Sequence, residues 1–245
     1  MSDTIYYKVL KRDGVQKGFR YQWGIVNVLD KPFQVEGSCV PGGLYFTTLE
    51  YIDDFFSYGD DIVEVFFPDD ASFCMVEDPA KNKWRANKII LGEKYSLDDP
   101  ETFVKLGIIS KIPLMLVREK ISELGIIFLH WLERNGYHFN KYSMEYIMDD
   151  AICNGYLSVL KWFRETRPVF SFYMDSLNYA LINGHRDVLE WFMTEGYQIK
   201  FARHAINTIV AKKDTEMILW LEKISSTEIS LVTKLKNAGY IQSML

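Results

Sequence analysis

Cysteine is scarce in this chain of 245 residues: Cys39, Cys74 and Cys153 stand far apart. An odd count without paired spacing argues against a disulfide framework and against a structural zinc site. A reducing, intracellular setting is expected. Histidine is limited to His130, His138, His185 and His204, so none precedes residue 130. There is no His-x-x-x-His or Cys-x-x-Cys pair, and no metal ion is expected. Neither a Gly-x-x-x-x-Gly-Lys loop nor a Gly-x-Ser-x-Gly elbow occurs, and no cofactor or catalytic residue is assigned. The formal net charge is −5 with no run of lysine or arginine, so nucleic acid is not an expected partner. No stretch approaches the roughly 20 apolar residues that cross a bilayer. The longest apolar run lies near Gly125-Ile-Ile-Phe-Leu, and no membrane is expected. The amino terminus has no basic segment followed by an apolar core, so no secretory leader is expected.

What the chain has in excess is aromatic side chains, 15% of all residues, within a composition that is 48% hydrophobic and 25% charged. That balance fits a folded protein, and core filling is the expected use of most of the rings.

The two halves are patterned differently. Residues 1–97 read as a strand-rich α+β domain. Ile5 to Lys11 ends at the turn signal Arg12-Asp13-Gly14, and Gly18 to Trp23, Gly43 to Thr48, Asp61 to Phe67 and Lys83 to Leu91 are rich in strand formers. Leu49, Ile52, Phe55 and Phe56 have helical spacing, which predicts a short helix. The pairs Asp53-Asp54, Asp60-Asp61 and Asp69-Asp70 read as turn residues. The switch comes at Ser96-Leu-Asp-Asp-Pro100-Glu: Asp98 or Asp99 suits a helix cap, and Pro100 the first helical position.

From residue 98 to 245 the pattern is helical and it repeats. Ala151-Ile-Cys-Asn-Gly155-Tyr-Leu-Ser-Val-Leu-Lys-Trp162-Phe163 returns 29 residues later as Ala180-Leu-Ile-Asn-Gly184-His-Arg-Asp-Val-Leu-Glu-Trp191-Phe192. Trp131, Trp162, Trp191 and Trp220 mark four units, each on an apolar strip of one helix. A preceding helix carries Met148, Ala151 and Ile152, then Leu177, Ala180 and Leu181, then Ile206, Ile209 and Val210. Such units bury their apolar faces only by stacking, so about four helix pairs in a solenoid are expected, with the tryptophans in the core between layers. Thr227 to Leu245 lacks the tryptophan and suits a capping unit. Asn135-Gly136 and Glu195-Gly196 read as helix ends.

Asn183-Gly-His-Arg-Asp-Val-Leu-Glu-Trp-Phe-Met-Thr-Glu-Gly196 resembles the second-helix segment of an ankyrin repeat, and Asn154 to Phe163 is similar. The family's Thr-Pro-Leu-His box is missing, and the period is shorter than the usual 33 residues. Divergent arrays of this kind resemble those of giant DNA viruses that infect amoebae. Tyr6 to Gly14, Gly18 to Tyr21, Pro41 to Thr48 and Lys83 to Gly92 resemble an uncharacterised domain that precedes such arrays. The resemblance implies a non-enzymatic protein–protein interaction module, with a host or viral protein as partner and the host cytoplasm as setting. It also implies that the first helices line a concave binding side. There, matching positions form the columns Asp149, Asn178, Asn207 and Asp150, Tyr179, Thr208, which are the expected partner-binding residues.

Two smaller readings complete the sequence. His185, in the Asn-Gly-His turn, is expected to make a side chain-to-backbone hydrogen bond. Gly42-Gly43 are expected to form a turn, with Tyr45 and Phe46 on opposite faces of a strand. The alternative is that Gly42 to Thr48 is similar to the Gly-x-Tyr-Phe segment of ADP-ribosyltransferases. That resemblance implies that Tyr45 stacks on nicotinamide, Glu64 orients a ribose hydroxyl and Arg12 or Arg20 supplies the cation.

Overall fold

The computed structural model describes residues 4–167 and 171–224. The chain divides into two compact units, 1–116 and 117–245.

The first unit is built on antiparallel strands. β1 (Tyr6–Leu10), β6 (Asp61–Phe66), β9 (Lys88–Ser96) and β4 (Val26–Val28) form one sheet in the order β1-β6-β9-β4. β5 (Leu44–Phe46), β8 (Trp84–Ala86) and β7 (Met75–Glu77) form a second, and β2 (Val15–Gln16) pairs with β3 (Phe19–Arg20). The predicted strand at Lys83 to Leu91 is in fact two strands that belong to different sheets. β8 ends at Ala86, and β9 starts at Lys88 and runs to Ser96. The predicted helix after Leu49 is a 3-10 helix, Ile52–Tyr58.

β1 lies at the edge of the larger sheet, yet Tyr7 and Thr47 exchange two backbone hydrogen bonds of 2.7 Å, which link it to the end of β5. The outer edge of β1 is therefore paired at Tyr7, and Tyr7, Lys8, Val9 and Leu10 are all buried. The core beneath is a cluster of Leu10, Tyr21, Leu44, Phe46, Val63, Val65 and Ile89, rimmed by Tyr6, Phe67 and Trp84. Tyr6 meets Phe46, Phe67 and Trp84 edge-on at centroid distances of 5.2–5.5 Å, which accounts for much of the aromatic excess in this half.

Gly42 and Gly43 are places of close approach. A Cβ on Gly42 would stand 2.5 Å from the Pro32 carbonyl oxygen, and one on Gly43 would stand 2.7 Å from Arg85 Cδ. Arg85 is fully buried there, with Nη1 3.2 Å from Asp78 Oδ2 and Nε donating to the Gln34 carbonyl at 2.8 Å. Burial pushes the Asp78 carboxyl up. Hydrogen bonds from Ser38 and from the Ala80 and Cys39 amides, with the Lys83 charge, overcome this and hold it down at about 2.

Of the two candidate caps, Asp99 begins helix α1 (Pro100–Lys105): its carboxylate accepts from the Glu101 amide at 3.0 Å. Phe103 of α1 packs edge-on against Phe56.

After α1 the helices alternate in pairs: α2 (Leu114–Leu124) with α3 (Ile126–Arg134), α4 (Lys141–Asn154) with α5 (Leu157–Thr166), α6 (Met174–Ile182) with α7 (Arg186–Thr194), and α8 (Arg203–Lys212) with α9 (Thr215–Ile224). α4 packs on α5 and α6, and α6 packs on α7 and α8, as stacked units require. The fold is α+β: a strand-rich region followed by an all-α, ankyrin-like helical-repeat solenoid. Among the described residues no strand, and so no β-hairpin, follows Ser96. The capping unit expected at Thr227 to Leu245 lies outside the described residues.

The strips Val159, Leu160, Phe163 and Val188, Leu189, Phe192 are fully buried. Each such side chain contributes about 1.5–3 kcal/mol by leaving water. The tryptophans differ from expectation. Trp162 and Trp220 are buried, whereas Trp131 and Trp191 are only partly covered. Trp131 stacks on Phe128 of its own helix, at 5.1 Å and 10°. Trp220 is held by its indole N–H donating to Glu190 at 2.9 Å.

Candidate interaction face of the repeats

The two expected columns separate into different roles. In the first, Asp149 Oδ1 accepts from the Tyr173 amide at 2.8 Å and from Ser176 Oγ at 2.6 Å. Twenty-nine residues later, Asn178 Oδ1 accepts from the Ala202 amide at 2.8 Å, and Asn178 is only 5% exposed. Both side chains thus cross from one first helix to the start of the next, where exposed amide groups need acceptors. Burial pushes the Asp149 carboxyl up, against the hydrogen bonds from Ser176 and Tyr173. Asn207 is exposed, and the amide at the matching offset, residue 231, lies outside the described residues.

In the second column Tyr179 is 55% exposed, while Asp150 and Thr208 are partly covered. Asp150 is paired with Arg118, whose guanidinium also sits 5.0 Å over the Tyr146 ring. Thr208 donates to the His204 carbonyl at 2.9 Å.

Helix spacing of four extends this second column into a face. Tyr142, Tyr146 and Asp150 share one side of α4. Asp175 and Tyr179 share the corresponding side of α6, and His204 and Thr208 that of α8. Tyr142 is 68% exposed, with its ring 5.9 Å from that of Tyr146. Tyr173 and Met174, at the start of α6, are also exposed. The sequence places Tyr146 in a column with Asp175 and His204, whereas Tyr142 and Tyr173 were not among the residues it singled out. Their signal is aromatic residues at polar, four-spaced positions of an amphipathic helix.

A second set of periodic bonds closes the far end of each first helix. Asn183 Nδ2 donates to the Cys153 carbonyl at 2.9 Å, and 29 residues on Lys212 Nζ donates to the Ile182 carbonyl at 2.8 Å. His185 does not make the expected hydrogen bond among the described residues. Its ring lies against Gly155 of the preceding unit, where a Cβ would meet Nδ1 at 2.4 Å. Gly155 also has φ 77°, so its identity is required by backbone and by contact.

The ADP-ribosyltransferase arrangement does not form. Tyr45 Oη donates to the Val40 carbonyl at 2.8 Å, and Glu64 accepts from Tyr95 Oη at 3.1 Å. Arg12 pairs with Asp98, and Arg20 donates to the Asp13 carbonyl at 3.3 Å. Each side chain has its own partner, and the enzyme reading has no support.

No helix among the described residues is long and apolar enough to cross a membrane. No protein-family model matches the chain, and neither does a solved structure. Curated relatives do match, from Acanthamoeba polyphaga mimivirus. One named as an ankyrin repeat protein is 38% identical over 106 residues, 42% of this chain and 52% of the relative. A second of that name is 43% identical over 112 residues, 44% of this chain and 18% of the relative. An uncharacterized protein of the same virus is 37% identical over 106 residues, 42% of this chain and 75% of that relative. The chain spans about half or less of the length of the two named ankyrin repeat proteins. With stacked helix pairs, a 29-residue period and these relatives, the chain belongs to the divergent ankyrin-repeat proteins of the mimivirus kind.

Proposed function

We propose that the repeat region, 98–245, is a protein-interaction module that presents the outward side of its first helices to a host or viral protein. The amino-terminal region, 1–97, is read as a separate functional part. The setting is the interior of the host cell.

The observation that carries this reading is the exposed tyrosine set Tyr142, Tyr146 and Tyr179 on successive first helices. Tyrosine supplies a large contact area with a polar tip and is enriched in the centres of protein interfaces. The helices beneath are tied to one another at both ends, so little ordering accompanies binding. The second column, Asp150, Tyr179 and Thr208, belongs to this surface. Within the first column, Asp149 and Asn178 act chiefly as supports for it, and exposed Asn207 remains a candidate contact.

The test is co-purification from lysate of infected amoebae. The wild-type chain is expected to retain one partner at stoichiometric yield. Replacing Tyr142, Tyr146 and Tyr179 together with serine should cut that yield at least tenfold while far-ultraviolet circular dichroism stays unchanged. Equal capture by the variant would overturn the choice of surface.

A further inference from the structure

The first unit contains a cavity of about 360 Å³ that the interaction reading does not use. Its wall is largely aromatic and aliphatic, with Phe19 and Tyr21 from β3 and the residue after it, Leu44 and Phe46 from β5, and Phe55 from the 3-10 helix. Lys17, Asp30 and Lys31 are exposed where they line it. A volume of this size is that of a small-molecule site.

At its wall stands Lys8, on β1, only 5% exposed. Its ammonium has three N–H groups. One donates to the Tyr45 carbonyl at 2.9 Å, and the nitrogen sits 4.7 Å from the centre of the Tyr21 ring. Among the described residues no carboxylate pairs with it, and the neighbouring charge that acts on it is a second ammonium, Lys17. A buried cation without a counter-ion is costly, and an arrangement that keeps one beside a like charge is completed by an anion. Burial first, and Lys17 second, pull the Lys8 amine down to about 7, as expected of an ammonium that lacks its partner.

We propose that this cavity binds a small organic anion, whose acidic group meets the free N–H of Lys8 with Lys17 close by, and whose flat apolar body lies between the Phe19–Tyr21 edge and the Leu44–Phe46 strand. Tyr45 then acts through its backbone, holding Lys8 Nζ in place. The size of the cavity fits a body of one or two fused rings. The charge needed is a single acidic group, since Asp30 at the rim opposes further negative charge.

Isothermal titration calorimetry of the full chain tests this with three probes: 2-naphthoate, 2-naphthyl phosphate and the neutral 2-naphthamide. Saturable one-to-one binding of 2-naphthoate is expected, with 2-naphthamide at least tenfold weaker. Phosphate binding tighter than carboxylate would assign the natural ligand to the phosphate esters, and the reverse order to the carboxylates. Lys8→Met fills the same space without charge and should lose at least tenfold in affinity for both anions, with no change for the amide. Lys17→Met, an exposed change that leaves the core alone, should lose less. Failure of both anions to bind, or equal binding by wild type and Lys8→Met, would overturn the proposal.

Discussion

The Asn178 side-chain oxygen accepts a hydrogen bond from the Ala202 amide at 2.8 Å, repeating at a 29-residue offset the bond from the Tyr173 amide to Asp149. The sequence period is therefore a period of bonds between units as well as of apolar faces. Asp149→Ala and Asn178→Ala should each cost about 1–2 kcal/mol, the scale of a lost helix-start acceptor. Asp149→Asn, which keeps an acceptor, should cost less. Urea denaturation followed by circular dichroism measures all three, and equal loss for Asn and Ala at position 149 would contradict the assigned role.

The tryptophans should not be equivalent. Trp162→Ala removes a buried ring and should cost on the order of 3–5 kcal/mol. Trp191→Ala, at a partly covered position, should cost less than half of that. The same denaturation experiment reads both, and a reversed order would mean that the layers stack differently.

Lys8 gives stability a pH dependence of defined sign. Its amine titrates at about 7 in the folded chain against an ordinary value of 10.5. Between those values the unfolded chain binds more protons, so stability rises as pH increases from about 7 towards 10. Tyr21 and Tyr45 face the same region, but burial pushes both upward, so they keep their protons in this window. Lys17 is the facing cation. The rise should be a few kcal/mol and should vanish in Lys8→Met. A slope unchanged by that substitution would assign it to other groups.

Asp78 acts in the opposite pH range. Its folded carboxyl titrates at about 2, below the ordinary value of 3.8. Its contribution is present above 3.8 and is lost as pH falls through about 2. Asp78→Ala leaves Arg85 buried without its carboxylate and should cost about 3–5 kcal/mol. Thermal melts across pH 2–5 should show a smaller acid-induced loss in the variant than in wild type, since Asp70, also held at about 2 by Lys88 and Ser72, titrates in both.

The repeat half was legible because its signal is local. Period 29, the strips ending in Trp-Phe and the glycine helix ends predict the helix pairs that occur. Burial of the paired columns was not legible. Asp149 and Asp150 are adjacent acids on one helix, and only the position of the next helix start decides that one accepts from its amide while the other meets Arg118. The strand-rich half was read less fully. β4 and β7 are three-residue strands without an alternation of their own: β4 exists through long-range pairing with β9, and β7 through pairing with its sequence neighbour β8. Lys8 has the same origin. In Tyr7-Lys8-Val9 a lysine reads as the solvent side of an edge strand, yet Tyr7 pairs with Thr47 along that edge and Lys8 lies buried against the Tyr21 ring and the Tyr45 carbonyl.

The central claim is that the outward side of the first helices receives a protein. Hydrogen–deuterium exchange on the purified complex tests it most directly. Added protection is expected in Lys141–Asn154 and Met174–Ile182, around Tyr142, Tyr146 and Tyr179, with Leu157–Thr166 and Arg186–Thr194 unchanged. Protection confined to those second helices, or to the amino-terminal unit, would contradict the account.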